Sequence, residues 1–171
     1  MGDIHQPLHT TSRYTAEHPT GDKGGNSFPL KYHYKANELH AVWDNVVYLY
    51  HVNPKRPFTE SSWGDFGAIA TDLNERVKIS STEAHTVDFA QMEKESHAIS
   101  LHVYDGLKEG GTVSQSYIDK YQPIAVKRVV LAAHRIVYLI EQLFGSSKTS
   151  QRVEASSPMP ESLKQRLQML H

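Results

Sequence analysis

Two short stretches of this chain hold side chains able to share a metal ion. Near the N-terminus stands Gly2-Asp3-Ile4-His5-Gln6-Pro7-Leu8-His9, and farther on stands Leu39-His40-Ala41-Val42-Trp43-Asp44. His40 and Asp44 are four residues apart. On a helix that spacing puts an imidazole and a carboxylate one turn apart on one face, where both can reach a single ion. Catalytic zinc keeps about three protein ligands and leaves a position for water or substrate, and His9 is the candidate for the third. Spacing alone is a weak signal, because a His/Asp pair at this separation is more often a surface pair than a convergent ligand set.

The elements that must position these residues read as mainly helical. Residues 10–36 are rich in Thr, Ser, Pro, Gly and Tyr, which reads as an extended loop with a short strand over 28–34. Asn37 suits the N-cap of a helix over 38–50, ended by Asn53-Pro54 because proline disfavours helix in the residue before it. A turn cluster over 54–67 precedes a helix over 69–77, and another helix is expected over 87–107, stopped by Gly110-Gly111. The strongest helix spans 116–144, where Val126, Val129, Val130, Ala133, Ile136, Val137, Ile140 and Phe144 form a wide apolar stripe closed by Gly145. Residues 146–160 read as a polar linker, and 161–171 as a short amphipathic helix or a disordered tail.

Composition narrows the chemistry. The 171 residues suit one ordinary domain, and 18 Lys plus Arg against 19 Asp plus Glu leave no global basic field for long duplex nucleic acid. With no cysteine, any metal must use imidazole and carboxylate ligands, a mixture that suits catalytic rather than structural zinc. No run of eighteen apolar residues and no basic-then-apolar leader is visible, and no Asn-x-Ser/Thr acceptor site occurs. Eleven histidines are many for this length. His5 reads as a supporting or surface residue, Trp43 as a core brace for the helix that carries His40 and Asp44, and His97, His102 and His134 as packed or hydrogen-bonded.

The wording of the motifs adds more. Gly2-Asp3-Ile4-His5-Gln6-Pro7-Leu8-His9, then Gly24-Gly25-Asn26, then Leu39-His40-Ala41-Val42-Trp43-Asp44 together resemble the class I nucleases. These are the zinc-dependent, single-strand-specific enzymes of fungi and plants and the related 3′-nucleotidase/nucleases. The resemblance runs more faintly through Glu95-Ser96 and Val103-Tyr104 to Ala132-Ala133-His134-Arg135, and nothing after Gly145 matches.

That resemblance implies a mainly α, phospholipase C/class I nuclease-like helical fold with three zinc ions at the bottom of a cleft. Asp3 would bridge two zinc ions that activate the attacking water, and His9, His40 and Asp44 would hold the third, which stabilises the departing 3′ oxygen. Asn45 would stand near the scissile phosphate and Asn26 would bind a base. The substrate would be single-stranded DNA, single-stranded RNA or nucleotides, cut to 5′-nucleotides, with 3′-nucleotidase activity as a further expectation. No stable macromolecular partner is implied.

The family motif begins with a histidine that would fall two positions before Met1, and the other upstream ligands are also missing. The chain is therefore expected to be N-terminally truncated and inactive alone. On this reading 1–145 is the C-terminal portion of the nuclease domain and 146–171 a polar linker and tail. The full-length protein would be secreted, vesicular or surface-associated. A zinc phospholipase C-like phosphodiesterase and a non-catalytic zinc-binding helical fragment are the competing expectations. The phospholipases, however, place a glutamate where Asp44 stands.

Overall fold

The computed structural model describes residues 1–50 and 56–145. Two 3₁₀ turns, Asp3–His5 and Pro7–Thr10, open the chain. An antiparallel hairpin follows, β1 (Pro29–His33) against β2 (Ala36–Glu38), with Pro29 opposite Glu38 and His33 opposite Ala36. Five helices complete the described residues: α1 (Leu39–Asp44), α2 (Glu60–Arg76), α3 (Ser81–His85), α4 (Phe89–Ser100) and α5 (Gln115–Phe144). The fold is mainly α, as the sequence implies. Among the described residues no helix is long and apolar enough to cross a membrane.

The core forms where α1 meets α5. Leu39, Val42 and Trp43 are buried on one face of α1 and share a core with Tyr117, Tyr121, Ala125 and Val126 of α5, Trp43 meeting Tyr117 and Tyr121 directly. His40 and Asp44 are left on the other face. Trp43 Nε1 donates to Tyr117 Oη at 3.0 Å, and Tyr117 Oη donates to the Val103 carbonyl at 2.6 Å, so the indole is a hydrogen-bonded brace as well as packing.

The helix expected over 38–50 ends at Asp44. Val46, Val47 and Tyr48 take left-handed backbone angles (φ 52°, 50° and 67°), a costly choice for such side chains. The compensation is burial, since Val46, Val47, Tyr48 and Leu49 are all in the core. A helix turns through about 100° per residue and cannot aim four successive side chains at one core. Asn37 lies in β2 instead of capping α1, and the reading of Asn53-Pro54 as a stop lies outside the described residues.

Helix α2 begins nine residues earlier than the 69–77 reading, because Thr59 and Ser62 form a reciprocal capping box. Gly64 and Gly67, taken as turn formers, sit inside it with open space where a Cβ would point. The segment expected over 87–107 is helical only to Ser100, after which turns carry the chain to Gly106. The linker and tail expected over 146–171 lie outside the described residues.

One buried polar network ties α4 and α5 to the first 3₁₀ turn. Arg135, 1% exposed, grips Glu95 with both Nη atoms at 2.8 and 3.0 Å, and Arg128 reaches the same carboxylate at 2.9 Å. Arg128 also donates to the His5 carbonyl at 3.2 Å and to Ser96 Oγ at 2.7 Å. Arg135 Nη1 donates to His5 Nε2 at 3.0 Å, so that nitrogen is an acceptor and Nδ1 carries the proton given to the Met1 carbonyl. Burial, and secondarily the two guanidinium charges, push His5 from 6.5 to about 4. The hydrogen bonds from Arg135 and Arg128 hold Glu95 at about 2.

Both shifts make acid unfold the protein. Unfolded His5 gains a proton below about 6.5 while the folded ring resists to about 4, and unfolded Glu95 gains one below 4.5 while the folded group resists to about 2. Urea-unfolding free energy should therefore be steady above about pH 6.5 and decline as pH falls toward 2, with Glu95→Gln removing the lower part of the slope. Arg135→Met, which leaves the half-buried Glu95 carboxylate to Arg128 alone and the His5 and Glu83 acceptors without their donor, should cost about 1–3 kcal/mol at neutral pH in the same measurement.

Candidate metal centre

His9 comes from the second 3₁₀ turn, and His40 and Asp44 from opposite ends of α1. One ligand atom from each lies within 4.8 Å of the other two. The His9 and His40 Nε2 atoms approach to 3.1 Å, and His40 Nε2 lies 3.8 Å from Asp44 Oδ2. The two rings stack with centroids 4.9 Å apart and planes 21° apart.

The far nitrogens of both rings are anchored. His40 Nδ1 donates to the Gly24 carbonyl at 2.7 Å. His9 Nδ1 faces the Asp3 carbonyl at 3.0 Å and Asp3 Oδ1 at 2.8 Å. These acceptors take the Nδ1 proton of each ring and turn the two Nε2 atoms toward one another and toward Asp44. Two ring nitrogens and a carboxylate this close need positive charge among them, either a proton shared between the rings or a metal ion. Two imidazoles and one carboxylate are a donor set that suits a divalent transition-metal ion.

The surrounding chain builds this geometry. Gln6 Nε2 donates to Asp44 Oδ1 at 3.2 Å, while its Oε1 accepts from the Leu8 N–H at 2.7 Å, so one amide links the His9 turn to the carboxylate. Gly24 and Gly25 (φ 63° and 81°) let a tight turn slip between that segment and α1. A Cβ at Gly24 would stand 2.2 Å from the Leu8 carbonyl oxygen, and one at Gly25 would stand 3.3 Å from the His40 nitrogen.

The structure thus brings His9, His40 and Asp44 together and leaves Asp3 outside their ligand set. The Asp3 carboxylate is 84% exposed and lies on the far side of the His9 ring. Asn45 follows Asp44 at the end of α1, and its amide donates to the Tyr34 carbonyl at 3.3 Å. Asn26 is exposed, and its amide donates to the Lys23 carbonyl at 2.8 Å, bracing the Gly24-Gly25 turn.

His5, read as a supporting or surface residue, is buried and belongs to the arginine network. His97, His102 and His134 meet the Thr10 carbonyl, Asp105 and Asn74 respectively. The roles of Gln6 and Arg128 were missed by sequence reasoning, because their partners lie 38 and 33 residues away along the chain. A pocket of about 340 Å³ opens beside Asp44 and Gln6, walled by Trp43, Val46, Val129 and Ile136.

Comparison with known proteins gives a consistent result. Residues 1–145 match the family model described as S1/P1 Nuclease. The chain is 28% identical over 167 residues to Endonuclease 1 of Arabidopsis thaliana, covering 91% of this chain and 50% of that protein. It is 26% identical over 149 residues to Endonuclease 2 of the same plant, covering 85% of this chain and 49% of that protein. Endonuclease 5 is 43% identical over a shorter stretch of 47 residues, 28% of this chain and 14% of that protein. The chain therefore spans about half the length of the first two relatives. No solved structure matches.

Gly24→Ala should displace both the His9 segment and the carbonyl that anchors His40. Divalent-metal affinity, measured by calorimetric titration, should fall by about 10- to 100-fold, the usual effect of losing an anchor behind a ligand. Gly64→Ala, where a Cβ meets open space inside α2, should leave it unchanged.

Proposed function

The chain belongs to the S1/P1 nuclease family, and on that premise we propose that it is part of a zinc-dependent endonuclease that cuts single-stranded DNA and RNA to 5′-nucleotides and also has 3′-nucleotidase activity. Membership of the family supports nucleic acid as the substrate class; that substrate, the strand preference, the zinc and the second activity are all part of the proposal. The observation that carries it is the convergence of two Nε2 atoms and the Asp44 carboxylate.

Zinc bound there would supply a Lewis acid that stabilises negative charge on a phosphate ester oxygen. The chain's own residues do the rest of the positioning. The Gly24 carbonyl fixes the His40 ring and Asp3 fixes the His9 ring, so both Nε2 atoms are aimed at the centre. Gln6 holds the Asp44 carboxylate from the other side. On this reading Asn45, one residue past Asp44, would hydrogen-bond a phosphate lying on the centre and Asn26, on the exposed turn, would contact a base, each releasing the carbonyl its amide now holds. Preference for single strands fits a centre that needs a phosphate beside an unpaired base, which a stacked duplex does not offer.

Among the described residues, His9, His40 and Asp44 are the one group of three or more metal-ligating side chains that converges. Asp3 is proposed to join a second, water-activating site whose further ligands lie outside this group. The 171-residue chain should then hold about one zinc ion and show no nuclease activity by itself, whereas a longer polypeptide carrying those ligands should be active.

Equilibrium dialysis with metal analysis should return one zinc per chain, lost in His40→Ala. The longer polypeptide should cleave single-stranded DNA and RNA faster than duplex DNA, and a chelator should silence it. Three ions retained by this chain, unchanged binding in His40→Ala, or cleavage of a phosphocholine lipid in place of nucleic acid would each contradict the proposal.

A further inference from the structure

Asp22 is a fully buried carboxylate, 0% exposed, that the metal centre does not use directly. Its Oδ1 accepts from the Arg13 backbone N–H at 2.9 Å and its Oδ2 from Tyr104 Oη at 2.6 Å. The Asp22 N–H donates back to the Arg13 carbonyl at 3.0 Å, and the Asp22 carbonyl accepts from the Ser27 N–H at 2.9 Å. Between those anchors lie Lys23, Gly24 and Gly25, three successive residues with positive φ (57°, 63° and 81°). Such a run has no repeating hydrogen bonds of its own, so its shape depends on how its ends are held. The Gly24 carbonyl in the middle of that run is the acceptor for His40 Nδ1.

Tyr104 reaches Asp22 from the turn after α4, 82 residues away in sequence. Its ring meets Phe28 edge-on at 5.5 Å, and the Arg13 guanidinium lies over both rings, 5.5 Å from Phe28 and 5.2 Å from Tyr104. Burial and the Asp22 carboxylate push the Tyr104 hydroxyl well above its usual value, so it stays a donor.

We propose that Asp22 and Tyr104 are a positioning pair for the metal centre, fixing the turn whose Gly24 carbonyl orients His40. Neither residue touches the ion. The inference rests on the metal-binding reading above and extends it to residues outside the ligand set. The chain of action runs from the Tyr104 hydroxyl to the Asp22 carboxylate, from Asp22 to the backbone of the turn, and from Gly24 to the imidazole.

The test uses the whole 171-residue chain and zinc, with affinity read by competition against a chromophoric chelator. Tyr104→Phe removes one oxygen and should weaken zinc binding by about 10- to 100-fold while the metal-free protein still melts cooperatively. Asp22→Asn, which keeps the volume and one acceptor, should give an intermediate loss. Tyr50→Phe is the control, because it deletes another tyrosine-to-carboxylate hydrogen bond, to Asp72, and should leave zinc affinity unchanged.

With cobalt(II) in place of zinc, the His40 Nδ1–H proton resonance should exchange with solvent faster in Tyr104→Phe than in the unaltered chain, a change that a general loss of stability shared with Tyr50→Phe does not produce. If the unaltered chain binds no zinc, the metal reading fails and takes this inference with it. If it binds zinc but Tyr104→Phe binds equally well, Tyr50→Phe loses as much, or the Tyr104 and Asp22 variants lose the cooperative fold rather than the metal, the positioning role alone is overturned.

Discussion

Two arginines of α5 share one carboxylate of α4 beneath the turn that carries the first motif, and the placement of His9 depends on that contact. Two guanidinium charges against one carboxylate leave a buried positive surplus, which is costly unless further acceptors surround it. The surplus is met by the His5 carbonyl, the His5 ring nitrogen, the Glu83 carbonyl and Ser96 Oγ. Two of these four acceptors belong to the first 3₁₀ turn. The N-terminal motif is therefore held by α4 and α5 through satisfied polar contacts, and His5 must stay neutral to accept from Arg135.

The second constraint is the brevity of α1. Its buried face packs on α5 through Trp43, while its opposite face presents His40 and Asp44 one turn apart. The left-handed residues that follow redirect the chain at once into the core, so Asp44 ends the helix at the edge of an apolar pocket and keeps 53% of its side chain exposed. The centre is rigid on its inner side, where each ring is anchored through Nδ1, and accessible on the outer side. That combination suits the proposed metal centre, open to a ligand on one side.

The convergence of His9, His40 and Asp44 was legible in the sequence from a histidine and an aspartate at helical spacing and from an ordered set of motifs. The long helix over 116–144 was legible as well, its apolar stripe running for many turns, and it appears as α5 within one residue at its start. The short end of α1 was not, because Val46, Val47 and Tyr48 carry no turn signature, and their left-handed angles are set by burial in a core assembled from distant segments. The early start of α2 was obscured by Gly64 and Gly67, whose flexibility is outweighed once Thr59 caps the helix. The Asp3 carboxylate stands behind His9, on its Nδ1 side, a matter of side-chain direction that spacing does not carry.

The account stands on a cation lying among His9, His40 and Asp44. The most direct measurement is an anomalous difference map from zinc-soaked crystals, with data collected just above and just below the zinc absorption edge. The account predicts one strong peak, present only above the edge, about 2.0–2.2 Å from both Nε2 atoms and from an Asp44 carboxylate oxygen. No peak there, or a peak bound at His5, His97, His102 or His134 instead, would contradict it.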